Sequence, residues 1–158
     1  MRPEEINLTT FEETLRASGR LIYTSVGRSM LPLLREGRDV LLIETAPDYR
    51  VGDAVLFRRP GVQGRGAYVL HRILRIGPEG YWIVGDNCTD GETVARENVL
   101  GVLTGVRRGG KRMLRSTDLL YRLYVACWCR PYRLRFLILR LLRFARRCVS
   151  WLYRRLRG

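Results

Sequence analysis

The sequence predicts a mainly β domain with a short helix before it and a helical tail after it. Two observations lead to this prediction. Short apolar runs separated by turns that contain Gly or Pro recur through residues 20–116, which is typical of an all-β or partly barrelled domain. From residue 117 the apolar residues instead recur with helical period. We therefore expect an N-terminal helical segment at 1–19, a β domain at 20–116 and an amphipathic helical tail at 117–158.

The predicted elements follow in chain order. A short helix covers Phe11–Ser18. Apolar runs then predict strands at Arg20–Val26, Asp39–Ile43, Ala54–Phe57, Tyr68–Ile76, Tyr81–Val84 and Val99–Val106. Gly109-Gly110 predicts a tight hairpin onto the residues that follow it. Residues 60–66, with three glycines, and the polar segment Cys88–Glu92 are expected to be loops.

Charge is distributed unevenly along the chain. Residues 105–158 contain 16 of the 29 Lys and Arg residues but only one of the 15 acidic residues, Asp118. The rest of the chain is close to neutral. A basic segment of this kind indicates an anionic partner, which here is a phospholipid surface, a nucleic acid or an acidic protein.

The tail from Arg133 onward predicts a strongly amphipathic helix. One face carries the apolar residues Leu134, Leu137, Ile138, Leu141, Leu142, Ala145, Cys148, Val149, Leu152 and Leu156, and the other carries arginines. The longest uncharged run of the tail, Leu123–Cys129, is too short to span a bilayer. We expect residues 131–158 to lie on an anionic membrane surface, with Phe144, Trp151 and Tyr153 at headgroup depth.

Two alternatives for this tail stay open. Its apolar face could pack on the β domain, or its arginines could bind nucleic acid, although the aromatic residues fall with the apolar face rather than among the arginines. Residues 1–18 are polar and acidic and lack the apolar core of an export signal. We therefore expect a peripheral, membrane-associated protein on the cytoplasmic side.

Two residues could together carry nucleophilic chemistry. Ser29 follows the first predicted strand in a turn shaped by Gly27 and Pro32, and a serine hydroxyl needs a nearby base to act as a nucleophile. His71, the only histidine, lies in an apolar strand and is neutral enough at pH 7 to accept a proton. A third group should orient the imidazole, and Asp86 and Asp90 are the candidates. Each residue taken alone is more often structural.

Five segments resemble, in order and spacing, the successive motifs of type I signal peptidases. They are Gly27-x-Ser29-Met30-x-Pro32, Gly37-x-x-Val40, Val51-Gly52-Asp53-x-Val55-x-Phe57, His71-Arg72-Ile73 and Gly85-Asp86-Asn87. Histidine in the fourth segment resembles the branch of the endoplasmic reticulum, which pairs Ser with His. LexA-type repressors share the fold and the Ser-Met motif but use a lysine, and the only lysine here, Lys111, lies elsewhere in the predicted hairpin.

The resemblance implies a signal-peptidase-like β fold and a serine endopeptidase that needs no metal or other cofactor. Ser29 is then the nucleophile and His71 the general base. Asp90 matches the orienting acid best, while Asp86 could shape the site. Gly27 and Met30 would lie beside a peptide substrate, bound in extended form with small residues next to the scissile bond.

One departure from the family's motif bears on activity. The family often has a serine two positions before the nucleophile, where this chain has Gly27, so backbone N–H groups would have to stabilise the oxyanion. A catalytically inactive relative that binds peptides or membranes is therefore an alternative. A LexA-like regulator is another, although no helix-turn-helix is predicted before the β domain.

Overall fold

A computed structural model describes residues 9–59, 67–110 and 112–157. They form an antiparallel eight-stranded sheet with one helix before it and helices after it, which confirms the mainly β prediction. The expected loop at 60–66 and the position of Lys111 lie outside the described residues.

All strand pairs of the sheet are antiparallel. The strands are β1 (Arg20–Thr24), β2 (Asp39–Glu44), β3 (Ala54–Arg59), β4 (Ala67–Gly77), β5 (Gly80–Val84), β6 (Gly91–Val94), β7 (Val99–Arg108) and β8 (Leu114–Arg115). Their order is β1-β2-β7-β3-β4-β5-β6, and β8 pairs with β7. The six predicted strands are confirmed to within two residues at each end, and so is the hairpin after β7. The expected loop Cys88–Glu92 is wrong at its end, because β6 begins at Gly91 and pairs with β5.

The sheet curves around its main core, so that β1 and β4 approach each other although they are not neighbours in the sheet. Helix α1 (Thr9–Ser18) closes the gap between them. The Phe11 ring stacks on Tyr68 of β4 at 4.9 Å between centroids and contacts Tyr23 of β1 at 5.3 Å. Leu15 of the same helix is buried in the core.

The tail is helical, as predicted, and is interrupted near Pro131. It comprises α2 (Leu119–Tyr124), a π-helical turn (Val125–Cys129) and α3 (Tyr132–Arg157). Among the described helices none is both long and apolar enough to cross a membrane.

Helix α3 docks on the sheet through a face other than its apolar one. Arg135 is only 1% exposed and Leu139 is buried, while Phe136 packs edge-on against Trp82 of β5 at 6.5 Å. At about 100° per residue, this docked face lies roughly opposite the apolar face. The leucines of the apolar face at 134, 137 and 141 are 54–57% exposed. The alternative in which this face packs on the β domain is therefore wrong.

Candidate active site

Ser29 lies at the bend of the loop between β1 and β2. Two backbone hydrogen bonds close the base of this loop, from Ser25 N–H to Asp39 O at 2.8 Å and from Gly37 N–H to Ser25 O at 2.9 Å. Gly27 has φ of +84°, a left-handed conformation that favours glycine. Ser29 is half-exposed at the bend.

The residues after β5 hold this loop in place, and we call residues 85–89 the active-site turn. Asn87 donates its backbone N–H to Ser29 O at 2.7 Å and its side-chain amide to Arg28 O at 3.2 Å. A Cβ on Gly85 would stand 2.8 Å from Ser29 O and 3.1 Å from His71 Nε2. Only glycine fits there, because the Ser29 carbonyl oxygen and the His71 imidazole both lie close to it.

Strand β4 directs two consecutive side chains to opposite faces of the sheet, as extended backbone requires. His71 points towards Gly85 and lies 6.1 Å from the Phe57 ring, while Arg72 enters a buried cluster behind the site. The imidazole is 9% exposed. Burial and the nearby Arg59 lower the pKa of His71 from its ordinary value, against an opposing effect of Glu92. The ring is therefore neutral at pH 7 and able to accept a proton at Nε2.

The carboxylate that faces Nδ1 of His71 belongs to Glu92, which was not among the site residues predicted from the sequence. Its Oε1 lies 3.8 Å from His71 Nδ1. Arg59 of β3 holds it with hydrogen bonds from Nε, at 2.8 Å, and from Nη2. Asp90 contacts Thr89 and makes no contact with His71 among the described residues. The missed signal was Gly91-Glu92-Thr93-Val94, a polar sequence that nevertheless forms an edge strand beside β5.

Asp86 lies behind the site rather than in it. Its carboxylate is fully buried and accepts hydrogen bonds from Arg72 Nε at 2.8 Å and Arg72 Nη2 at 2.7 Å. Tyr124 of α2 donates to it at 2.9 Å and Arg135 of α3 at 3.3 Å. In the described part of the chain no hydrogen bond or ion pair joins Asp86 to His71. Of the two roles considered for this residue, the contacts therefore favour shaping the site over orienting the imidazole.

A cleft of about 200 Å³ lies between β1 and β4, and Ser29 is among its lining residues whereas His71 is not. It is lined by Tyr23, Ser25, Val26, Ser29, Met30, Leu34, Leu41, Tyr68, Val69 and Leu70. Met30 is thus at the cleft, as expected, whereas Gly27 is in the loop above it and is not among the lining residues. Two larger clefts of about 650 and 700 Å³ flank α2 and contain neither Ser29 nor His71.

Ser29 and His71 both lie close to Gly85 but are not hydrogen-bonded to each other. Within the described residues the Ser29 hydroxyl makes no hydrogen bond to His71, a contact that often tightens only when substrate binds. The backbone N–H of Ser29 is also not used by any hydrogen bond in this part of the chain, so it is available to an oxyanion.

Comparisons with protein-family models, curated proteins and solved structures find no match. The resemblance to signal peptidases therefore rests on the motifs of the sequence alone.

The buried carboxylate of Asp86 predicts a large effect of its neutralisation. Burial alone would raise the pKa of Asp86, but Arg72, Arg135 and Tyr124 outweigh burial and lower it. Asp86→Asn leaves two buried guanidinium groups without a carboxylate and should reduce the free energy of unfolding by about 3–5 kcal/mol at pH 7. Urea denaturation measures this.

The matched control is Asp90→Asn at an exposed position, which should change stability by less than about 0.5 kcal/mol. Because the pKa of Asp86 is lower in the folded state, its stabilising effect is lost as the pH falls through that value. The difference between wild type and Asp86→Asn should therefore shrink in acid. Equal stability of the Asp86 and Asp90 variants at pH 7 would contradict this account.

The contact of Glu92 with His71 predicts a change in the titration of the imidazole. Glu92→Gln removes a charge that raises the pKa of His71 and frees Arg59, which lowers it. The pKa of His71 should therefore fall further below its ordinary value. Because His71 is the only histidine, its ring signals in an NMR titration report on it alone. Glu79→Gln, in the turn before β5, is the control, and an unchanged titration in Glu92→Gln would contradict the contact.

Proposed function

We propose that this protein is a serine endopeptidase of signal-peptidase type, with Ser29 as nucleophile and His71 as general base. One observation carries the proposal. Nε2 of His71 and the carbonyl oxygen of Ser29 both lie close to Gly85, while Nδ1 of the same ring lies 3.8 Å from Oε1 of Glu92. Ser29, His71 and Glu92 thus lie together, and a serine, an imidazole and a carboxylate are the three groups that nucleophilic catalysis by serine uses.

Each group then has a defined part in peptide hydrolysis. Ser29 Oγ attacks the scissile carbonyl as His71 Nε2 takes its proton, and the imidazolium returns that proton to the leaving amine. Glu92, held by Arg59, orients the ring and stabilises its positive charge. The backbone N–H of Ser29 donates to the oxyanion, in place of the side chain that is missing at Gly27.

The shape of the cleft supports an extended peptide as the substrate. Strand β1, which pairs only with β2 among the described strands, contributes Tyr23 to the cleft, and an extended peptide can bind beside an edge strand of a sheet. The cleft volume of about 200 Å³ is below that of sites for drug-sized ligands. It suits small side chains next to the scissile bond.

We further propose that α3 attaches the protein to an anionic phospholipid surface. Four leucines of the apolar face, at 134, 137, 141 and 142, are exposed, and so are the aromatic side chains of Phe144, Trp151 and Tyr153. Exposed arginines of the same helix complement acidic headgroups. An amphipathic helix of this composition lies in the plane of the membrane interface.

A second candidate is the catalytically inactive relative, which binds peptides in the same cleft without cleaving them. The absence of a hydrogen bond between Ser29 and His71 among the described residues favours it. The cleavage experiment distinguishes the two functions.

Cleavage of a mixed peptide library, followed by mass spectrometry in the presence of anionic lipid, tests the proposed activity. Cuts should cluster after small side chains. Ser29→Ala and His71→Ala should each reduce the rate by at least about 10³-fold, because each removes a group that acts directly in the chemical step.

Ser116→Ala is the matched control, since it makes the same chemical change away from the cleft and should leave the cuts unchanged. Cleavage that persists in Ser29→Ala would rule out its role as nucleophile. Peptides that bind with no cleavage by a folded wild-type protein would instead support the inactive relative.

Co-sedimentation with vesicles of phosphatidylglycerol and phosphatidylcholine tests the membrane proposal. The double variant Leu137→Ser/Leu141→Ser should bind at least about 10-fold more weakly, because burial of each leucine side chain contributes about 1.5–3 kcal/mol. Binding should also weaken with added salt and in vesicles without the anionic lipid.

Ile76→Ser removes an exposed apolar side chain of β4 and serves as the control for a general loss of hydrophobicity. Equal binding of the double variant and the control would show that α3 does not form the membrane contact. Binding of double-stranded DNA with the same strength and salt dependence as the vesicles would point to nucleic acid instead.

A further inference from the structure

The active-site turn is the structural link between the two proposed catalytic residues. Asn87 fixes the Ser29 loop through two hydrogen bonds, and Gly85 lies against His71 Nε2. A displacement of this turn would therefore move the Ser29 loop relative to His71. The contacts that fix the turn are thus as important to the arrangement of the site as the residues of the turn itself.

Helix α3 contacts this turn directly through arginine side chains. Arg135 reaches Asp86 with Nη1 at 3.3 Å from Oδ1. One turn of helix away from Leu139, Arg143 donates from Nη2 to Asn87 O at 2.8 Å and from Nη1 to Thr89 Oγ1 at 3.3 Å. The planar guanidinium thus spans two residues of the turn, which a single point charge could not do.

Arg143 is also where α3 leaves the domain. It makes the last hydrogen bonds from the helix to the rest of the domain within the described residues, and residues 144–151 are exposed at every position. Arg135, Leu139 and Arg143 lie on one face of the helix, roughly opposite the exposed leucines. Contact with the active-site turn and contact with a membrane therefore use different faces and can coexist.

We propose that Arg143 is a positioning residue that holds the active-site turn, and with it the Ser29 loop, in the catalytic arrangement. The inference rests on the proposed function in so far as the site is a peptidase site. In this arrangement α3 supports the candidate site in addition to its proposed contact with a membrane. Among the described residues, the hydrogen bonds of the Arg143 side chain go only to the turn, so its effect on Ser29 passes through Asn87.

Arg143→Gln tests this assignment, with Arg133→Gln as the matched control at an exposed position of the same helix that does not contact the turn. The first readout is hydrogen exchange at the backbone amide of Asn87, which donates to Ser29 O. Exchange should be faster in Arg143→Gln and unchanged in the control. Because Arg143 is on the surface, both variants should unfold at the same temperature as the wild type.

The second readout is peptide cleavage by the full-length protein. Arg143→Gln should lower kcat by about 10- to 100-fold, the range expected for a small misplacement of catalytic groups, with KM nearly unchanged. Arg143→Lys should recover part of this loss, because an ammonium group can still donate to Asn87 O. Reaction of Ser29 with a fluorophosphonate should slow in parallel with kcat.

The two readouts separate failure of this inference from failure of the proposed function. If Asn87 exchanges equally in Arg143→Gln and Arg133→Gln, the positioning role is overturned whatever the activity. If exchange at Asn87 accelerates but the wild-type protein neither cleaves peptides nor reacts with the fluorophosphonate, the contact is upheld and the peptidase proposal fails. Equal loss of kcat in both variants would also overturn the inference.

Discussion

The buried ion pair between Asp86 and Arg72 is the interaction on which the arrangement of the domain depends. Both side chains are fully removed from water, and a charge in such a place is stable only when opposite charges and hydrogen bonds surround it. That requirement gathers Tyr124 of α2, Arg135 of α3 and the backbone oxygen of Gly52 around the pair. The helical tail is therefore tied to the sheet by hydrogen bonds to a buried carboxylate as well as by the apolar contacts of Tyr121 and Val125 with the core.

The same ion pair fixes the two backbone segments that carry the candidate site. Consecutive residues of β4, His71 and Arg72, point to opposite faces, and so do Gly85 and Asp86 at the start of the turn. One member of each couple faces the Ser29 loop and the other enters the buried cluster. Displacing either backbone segment at the site would thus break a buried ion pair, at a cost of about 3–5 kcal/mol. The same two backbone segments, His71-Arg72 and Gly85-Asp86, therefore carry both the candidate site residues and the buried groups that support them.

The apolar pattern of the sequence was sufficient to predict the buried strands. The sequence was less informative about the contacts between charged groups. Strands with continuous apolar runs, such as β2 and β4, were located to within a residue or two because burial on a sheet requires that composition. Strand β6 was not, since Gly91-Glu92-Thr93-Val94 looks like a loop until β5 is beside it. Glu92 was missed for the same reason, because its approach to His71 is set by strand order and not by spacing along the chain.

The docked face of α3 is the most instructive case. A helical wheel identifies the face rich in leucine but does not predict which face contacts the sheet, and the sheet receives the face of Arg135 and Arg143. The wheel ranks the faces of a helix by hydrophobicity alone. The surface against which α3 packs contains the carboxylate of Asp86 and the backbone oxygen of Asn87, and both accept hydrogen bonds from arginine side chains. These hydrogen bonds, together with the burial of Leu139 and the packing of Phe136 on Trp82, direct this face to the sheet and leave the leucine-rich face exposed. Burial of each exposed leucine side chain against another surface contributes about 1.5–3 kcal/mol to binding. The arginines around these leucines favour a surface that has acidic groups above an apolar interior, such as a phospholipid bilayer. The polar attachment of α3 to the active-site turn is thus what leaves its apolar face available for the membrane contact that we propose.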